Sequence, residues 1–572
     1  MDRNTILAIA LSVAVYSLWL FYQTTLHPAA VVDDAAQQVE TQREIAEEQA
    51  PRADDATGRD VRHDLEVPEA ESASSGGKTR SGVVEVAPWQ GIFQGPLFEA
   101  ELSNRGATLS RWTLREFSEL DRFGKLGSPI ELMSHEPDGP GGLVTPFTDL
   151  GLGDLSGELY AVESFSADRA VLVLERGGIE IRKIFEFDLD GYGFDLTVEI
   201  RNGSPGGISA DFAVEWPVRV RQGNDYHDES LIVLHSSDIE RAPVASVGNP
   251  GFFGRLFGGN GEQEVWRDVA WAGGDLMYFA ALLLPEPVEG TRAQFEPREP
   301  GHSAATVIHF APGEIAPGQS MRRHLSGFLG PKDPQLLEGL GRDLNKAVDL
   351  GYSWFEPLTL FFRWLLDAAY RVVPNYGWSI ILITILVRIV TLPIMNRQMR
   401  SMERMRALQP RLKEIQAKYA DDRQKQSEAT MSLYRESGVN PLGGCLPMLL
   451  QFPVFIGLFF ALKSSFALRQ APFLLWINDL SAPEVMFVIP GLDLPFRVLP
   501  LVMGASMILQ QKLTPTTVDP SQQMMMMVIM PIMMTVLFYQ FPSGLVLYWM
   551  VSNFLGIAHQ LLIGRTMVPS KA

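Results

Sequence analysis

Five apolar runs crowd the last third of this chain, at Tyr376 to Met395, Gly443 to Ser465, Pro495 to Lys512, Met524 to Phe541 and Ser543 to Gly564. A sixth, Thr5 to Tyr22, stands near the N-terminus with Arg3 before it and acids after it. Most reach the roughly 18 to 20 residues that a bilayer crossing needs. In lipid each backbone amide must be satisfied within its own segment, so helices are expected. The loops agree on one threading. Between Asn396 and Asn440 ten bases face six acids, and Arg397, Arg400, Arg404 and Arg406 crowd its membrane end, which places this loop in the cytoplasm. The loop from Phe466 to Leu494 carries Asp479, Glu484 and Asp493 and belongs outside, while Arg565 and Lys571 put the C-terminus inside. Six spans satisfy every loop. The first reads as an uncleaved anchor, the competing reading being a cleaved signal peptide; either one exports the domain C-terminal to it.

With 572 residues there is room for more than one folded unit. Between Val31 and Gly82 thirteen acids oppose six bases in a stretch poor in aromatics, which reads as a disordered tether. From Val83 to about Leu329 the apolar period becomes two: Val171 and Val173, a Gly177-Gly178 turn, Ile179 and Ile181, then Phe194, Leu196, Val198 and Ile200 before Asn202-Gly203. Alternation bounded by Gly and Asn turns implies antiparallel strands in an all-β sandwich. Its tryptophans, Trp89, Trp112, Trp216, Trp266 and Trp271, read as core, with sugar stacking the alternative. Asn202-Gly203-Ser204 matches a glycosylation sequon and reads as a turn.

Tyr352 to Val373 looks apolar but carries Glu356, Arg363, Asp367 and Arg371 on one helical face, opposite Phe355, Leu358, Phe362, Leu365, Leu366 and Val372. That pattern suits a helix lying flat at the membrane surface, or one packed on the exported domain. The expected layout is an anchor over residues 1–24, a linker over 25–82, the β-sandwich over 83–335, an interfacial helix over 350–374, and a five-helix core over 375–566 with a hairpin over 396–438. Residues 25–374 are expected in the periplasm.

A net charge of -19 argues against nucleic-acid binding, which needs a basic surface. Cys445 is the only cysteine, so neither a disulfide framework nor a thiolate metal site is expected. No HExxH, GxSxG or Walker-type loop occurs, and neither catalysis nor a cofactor is expected.

The sharpest feature is Arg388, a dozen residues into its apolar run. A guanidinium at mid-membrane costs from about 3 to more than about 10 kcal/mol, so it must face protein or water, unless it snorkels to the nearby interface. Thr384 and Thr391 share its helical face. Other runs add Gln451, Ser506 with Gln510, and Tyr548 with Ser552, but no Asp or Glu away from their ends. A lasting positive site wetted from the cytoplasm is the expectation. Met503, Met507, Met524 to Met527, Met530, Met533 and Met534 add an adaptable apolar surface, or ordinary packing. The hairpin, turning at Asp421-Asp422 and carrying Arg404, Arg406, Arg411 and Lys413, either docks a partner or is a solvated coil whose charges set topology.

The segments Asn375-Tyr-Gly-Trp-Ser-Ile, Val387-Arg388, Asn440-Pro-Leu-Gly-Gly-Cys-Leu-Pro, Arg469-Gln-Ala-Pro-Phe and Phe541-Pro-Ser-Gly-Leu-Val-Leu-Tyr548, in this order, closely resemble the YidC membrane protein insertase family. The resemblance covers Tyr352 to Thr566; the anchor and β domain resemble its Gram-negative branch, whose exported domain is similar to a sugar-mutarotase supersandwich. It implies a bacterial inner-membrane protein that inserts and folds nascent membrane proteins, alone or with the Sec translocon, and docks the ribosome and the signal recognition particle receptor. It also implies that Arg388 is the groove arginine and that the helices bearing Gln451 and Tyr548 form the surface along which substrates slide. Trp549, counted with that groove, departs from the aromatic pair the resemblance leads one to expect. A secondary transporter or channel is the rival; it usually needs intramembrane acids and repeated halves. A second rival is an envelope-binding protein whose spans only anchor the sandwich.

Overall fold

The computed structural model describes residues 86–566, except for 121–124, 135–140, 221–228, 249–263, 420–421, 439–445, 492–493 and 514–523. The expected anchor and linker, Asp421, the Asn440 to Cys445 stretch, and the side chains of Arg397, Arg406 and Arg565 lie outside the described residues.

Alternating apolar residues build the β-rich region as expected. Its largest sheet is nine antiparallel strands, running from edge to edge through Asp238–Pro243, Ser230–His235, Val269–Asp275, Phe279–Pro285, Ser320–Pro331, Gly193–Asn202, Ile179–Phe187, Arg169–Arg176 and Ala161–Phe165. Two four-stranded sheets, one over Gln90 to Ser134 and one that includes Ala213–Arg219 and Ser303–His309, complete an all-β domain around one apolar core. Gly177 and Gly178 take φ of 60° and 80°, the left-handed pair a two-residue hairpin needs, and set Arg176 opposite Ile179. Phe194, Leu196, Val198 and Ile200 are buried as expected. On Arg169–Arg176 Val171 is buried and Val173 half-buried, and Ala170 and Leu172 beside them are buried as well, so this strand does not alternate strictly. Trp112, Trp216 and Trp271 are core. Asn202 is buried, its amide donating to Gly206 O and Ile315 O, and its carbonyl accepts from Ser204, so the sequon is a turn.

Lys183 breaks the alternation. It occupies an inward position of Ile179–Phe187, fully buried, and its ammonium donates to the carbonyls of Gly106, Ala107 and Leu143 at 2.8, 3.0 and 3.2 Å. Burial pushes the amine down to about 7.

A short helix α1 (Pro334–Leu340) leaves the sandwich, its N-terminus capped by Asp333. Helix α2 (Glu356–Val372) buries Phe362, Leu366 and Ala369. Val372, expected on the apolar face opposite the charges, is exposed, as are Phe361 and Trp364. Helix α3 (Tyr376–Ala407) runs from the first core span straight into the expected hairpin. Nothing in the sequence stops a helix at Asn396; the break comes at Leu408, before α4 (Gln409–Lys418) with Pro410 in its first turn. Helix α5 (Arg423–Glu436) returns, started by Asp422, whose carboxylate accepts from Lys425 N, and ended before Gly438 at φ 61°. Leu412 and Leu433 are buried in the hairpin, and Arg404, Arg411 and Lys413 are exposed.

The remaining core helices are α6 (Leu446–Lys463), α7 (Val498–Leu513), α8 (Met530–Phe538) and α9 (Ser543–Thr566). Among the described residues, two segments, Tyr376–Asn396 and Ser543–Leu562, are long and apolar enough to cross a membrane, while Gln451–Lys463, Val498–Leu513 and Met527–Phe538 are apolar but shorter. The run expected from Met524 begins with a π turn over Met525–Ile529, and Pro531 opens α8. A second apolar core joins these helices to α2 through Phe362, Leu366, Ile380, Leu458, Met503 and Tyr548.

The two cores meet at the loop after α6. Phe466 stands edge-on to Phe117 at 5.5 Å and Phe279 at 5.9 Å, and the Arg469 guanidinium lies over the same two rings while donating to Ser118 O. Gln470 donates to the same carbonyl at 2.9 Å, and Lys463 pairs with Asp349 at 3.4 Å.

Candidate functional site: a polar seam along the last helix

Helix α9 is apolar except for one stripe. Tyr548, Ser552, Gly556 and His559 recur at spacings of four, four and three and so share a face. Each lies against a polar group of α3, α6 or α7. The Gln451 amide of α6 donates to the Tyr548 hydroxyl. Arg388 of α3 sends Nε to Ser552 Oγ at 3.1 Å and its terminal nitrogen to Ser552 Oγ and Ser552 O, both at 2.6 Å. His559 and Asn396, on α9 and α3, lie 2.8 Å apart. Asn553, beside the stripe, donates to Ser506 Oγ of α7 at 3.0 Å. Gly556 leaves room for Gln510 of α7; a Cβ there would lie 2.8 Å from Gln510 Nε2 and 3.7 Å from the Arg388 terminal nitrogen.

Arg388 is therefore turned into the helix bundle. It turns inward to α9, whereas Ile385, Leu386, Ile389 and Val390 of the same helix are exposed. Among the described residues no carboxylate forms an ion pair with it, and no cluster of His, Cys, Asp and Glu suits a metal. Neutral acceptors satisfy its hydrogen bonds and leave its charge standing.

Three expected members behave differently. Thr384 donates to Ile380 O at 2.7 Å and Thr391 to Val387 O at 2.9 Å, both folded back on their own helix. A threonine hydroxyl in lipid always has the carbonyl four residues back within reach, and that bond wins over a shared face. Trp549 joins no polar group; its ring packs edge-on against Phe455 at 5.0 Å and against Phe538 at 5.1 Å. Gln451, Ser506, Gln510, Tyr548 and Ser552 are all brought to the seam. Asn396, Asn553, Gly556 and His559 were missed, though the four-residue repeat through Tyr548, Ser552 and Gly556 was there to be read.

The seam lies within residues 368–571, which match the model of the 60Kd inner membrane protein family, and residues 93–365 match that of the YidC periplasmic domain. The membrane protein insertase YidC of Syntrophus aciditrophicus is 31% identical over 586 residues, covering 99% of this chain and 100% of that protein. The chain belongs to the YidC family of membrane protein insertases. A YidC of Geobacter sp. strain M21 is 32% identical, covering 82% of this chain and 84% of its own, and one of Pelobacter propionicus is 38% identical over 68% and 70%. Among solved structures, an active YidC insertase with its first transmembrane domain resolved aligns at 19% identity over 85% of this chain and 95% of that one, with a TM-score of 0.34. A putative aldose 1-epimerase from Escherichia coli K12 aligns at 11% identity with 42% of this chain and 99% of its own, with a TM-score of 0.31.

Proposed function

We propose that this chain inserts and folds integral membrane proteins in the bacterial inner membrane by holding the polar flank of a client helix at the Arg388 seam. The observation that carries the reading is a guanidinium held by the neutral Ser552, with no anion paired to it among the described residues. A client helix of some twenty apolar residues gains about 10 kcal/mol on entering lipid, so no ATP-driven step is required. The barrier is the polar flank, which must cross hydrocarbon. A wet, cationic half-depth site shortens that dry path. Gln451, Tyr548 and Ser552 line the way, and the exposed apolar side chains of α3 and α8 offer the client its exit to lipid.

The reading includes six spans, with residues 25–374 in the periplasm and the α4–α5 hairpin and C-terminus in the cytoplasm. Arg404, Arg411 and Lys413, exposed on the cytoplasmic side, are the groups a ribosome or the signal recognition particle receptor would meet, and the Sec translocon is the partner alongside. Asp422 is reserved for starting α5. The scheme assigns no bond-making chemistry to any residue.

A photo-crosslinker at Phe452, exposed beside Gln451, tests the reading with a ribosome-stalled client. Adducts to the client's apolar segment that vanish when that segment is replaced by a polar one are expected. Equal adducts from a probe at Val265, on an edge strand of the sandwich, would refute it.

A further inference from the structure

The loop joining α6 to α7 is inside out. Its two described acids face inward, and Asp493 lies outside the described residues. Asp479 is 8% exposed, with Oδ1 accepting from Ser481 N and Oγ at 2.7 Å, and Glu484 is 4% exposed, accepting from Leu499 N and Trp476 Nε1 at 2.7 Å each. Burial raises both carboxyls above the usual range. Its large apolar side chains face outward: Leu474, Leu475, Met486, Phe487 and Leu494 are between 46% and 85% exposed. Among the described residues from Pro472 to Leu494, Asn478 is the only exposed polar side chain. A water-facing loop of this length has the opposite arrangement, since burying a charge and exposing a leucine are both unfavourable in water.

The outward groups are held there. Leu475 takes φ 58°, a left-handed conformation that a leucine adopts only under constraint. The short antiparallel pair Phe487–Ile489 and Leu494–Phe496 stacks the Phe487 and Phe496 rings at 4.8 Å, and the Tyr539 hydroxyl donates to Pro495 O at 2.6 Å, fixing the pair to the end of α8. The loop starts where α6 ends at Lys463, and α7 starts at Val498, two residues after Phe496. Any solvent that bathes the ends of those helices also bathes these side chains. A protein partner would be expected to find some polar group to bond on a patch of this size, and this one offers almost none.

We propose that the α6–α7 loop is a lipid-binding wedge, with Leu475 and Phe487 immersed among the acyl chains of the bilayer leaflet on the non-cytoplasmic side. The wedge rests on the membrane placement given under the proposed function. It anchors the core at the end opposite the hairpin, and the buried acids hold it rigid: Glu484 caps the start of α7, and the Asp479 carbonyl accepts from Ser543 Oγ at the start of α9.

The test uses the full chain in proteoliposomes of purified protein and lipid, with Cys445→Ser removing the only native cysteine. A polarity-sensitive fluorophore is attached in turn at Leu475→Cys, Phe487→Cys, Ile389→Cys and Val265→Cys, and quenched by lipids carrying a nitroxide high or low on the acyl chain. Labels at positions 475 and 487 should emit to the blue and be quenched more by the shallow nitroxide. The label at 389, exposed in the middle of α3, should be quenched more by the deep one, and the label at 265 by neither. If 389 is quenched while 475 and 487 behave like 265, the wedge is overturned and a protein partner becomes the occupant. If 389 is unquenched, it is the membrane placement that fails, and the wedge with it. Two label sites guard against a local defect at either one.

Discussion

Removing the charge at Arg388 should hurt clients in proportion to the acids on their exported tails. Arg388 lies 12 residues from Tyr376 and 8 from Asn396, the limits of its apolar segment. At about 1.5 Å per residue that is ~18 Å from the outer end and ~12 Å from the inner one. A tail carboxylate reaching the seam thus has roughly 18 Å of dry path left instead of the full ~30 Å. If it stops about 5 Å from the guanidinium at an effective dielectric near 20, the attraction is about 3 kcal/mol. Felt at the barrier, that is about two orders of magnitude in rate. Arg388→Ala should therefore slow a client with one tail aspartate by up to ~100-fold and a tail-neutral client far less. Arg388→Lys keeps the charge but gives up the fork that holds Ser552 through both Nε and the terminal nitrogen, so most of the acid preference should survive with a lower overall rate. The assay is protease protection of tails carrying none, one or two aspartates, in proteoliposomes without a membrane potential. A potential would add its own ~2.3 kcal/mol per charge per 100 mV and mask the effect. Equal slowing of neutral and acidic tails by Arg388→Ala would refute the electrostatic role.

Lys183 makes the sandwich sensitive to alkaline pH. Burial holds its folded-state pKa at about 7 against an ordinary 10.5, so above pH 7 the unfolded chain binds the extra proton and stability rises with pH. Urea midpoints should climb between pH 7.5 and 9.5 by the equivalent of at most ~1.4 kcal/mol per unit, and Lys183→Met should flatten the climb; parallel curves would refute the assignment. At Gly556 an added methyl would meet Gln510 Nε2 at 2.8 Å, so Gly556→Ala should slow insertion, and adding Gln510→Ala should restore part of the rate by reopening the space. Additive losses in the double variant would show that the crowding is not what matters there.

How far the fold could be read from the sequence depends on the range of the interactions involved. The hairpin at Gly177-Gly178 and the strand Phe194 to Ile200 were legible because turn chemistry and period-two burial act over a few residues. Lys183 was not, because its three acceptors lie 40 to 77 residues away and nothing local distinguishes a buried lysine from one out of phase. Arg388 was conspicuous as the wrong residue in an apolar helix, but its partner stands 164 positions on. Thr384 and Thr391 were placed on one face with Arg388, but helical spacing says where a hydroxyl sits and not that its own backbone will claim it. The acids of the α6–α7 loop were counted as topological signals, and Asp479 and Glu484 proved to be internal struts.

On the proposed function, serine suits the seam better than a carboxylate because it leaves the charge available. A buried arginine needs its N–H groups satisfied, and either an aspartate or a hydroxyl with a carbonyl would do that. An aspartate would also cancel the field, leaving a dipole that falls off steeply and attracts a client acid weakly. Ser552 supplies one hydroxyl and one backbone oxygen, so the hydrogen bonds close while a full positive charge persists. On the proposed function, that uncancelled charge acts on the length of hydrocarbon a polar group crosses before something receives it.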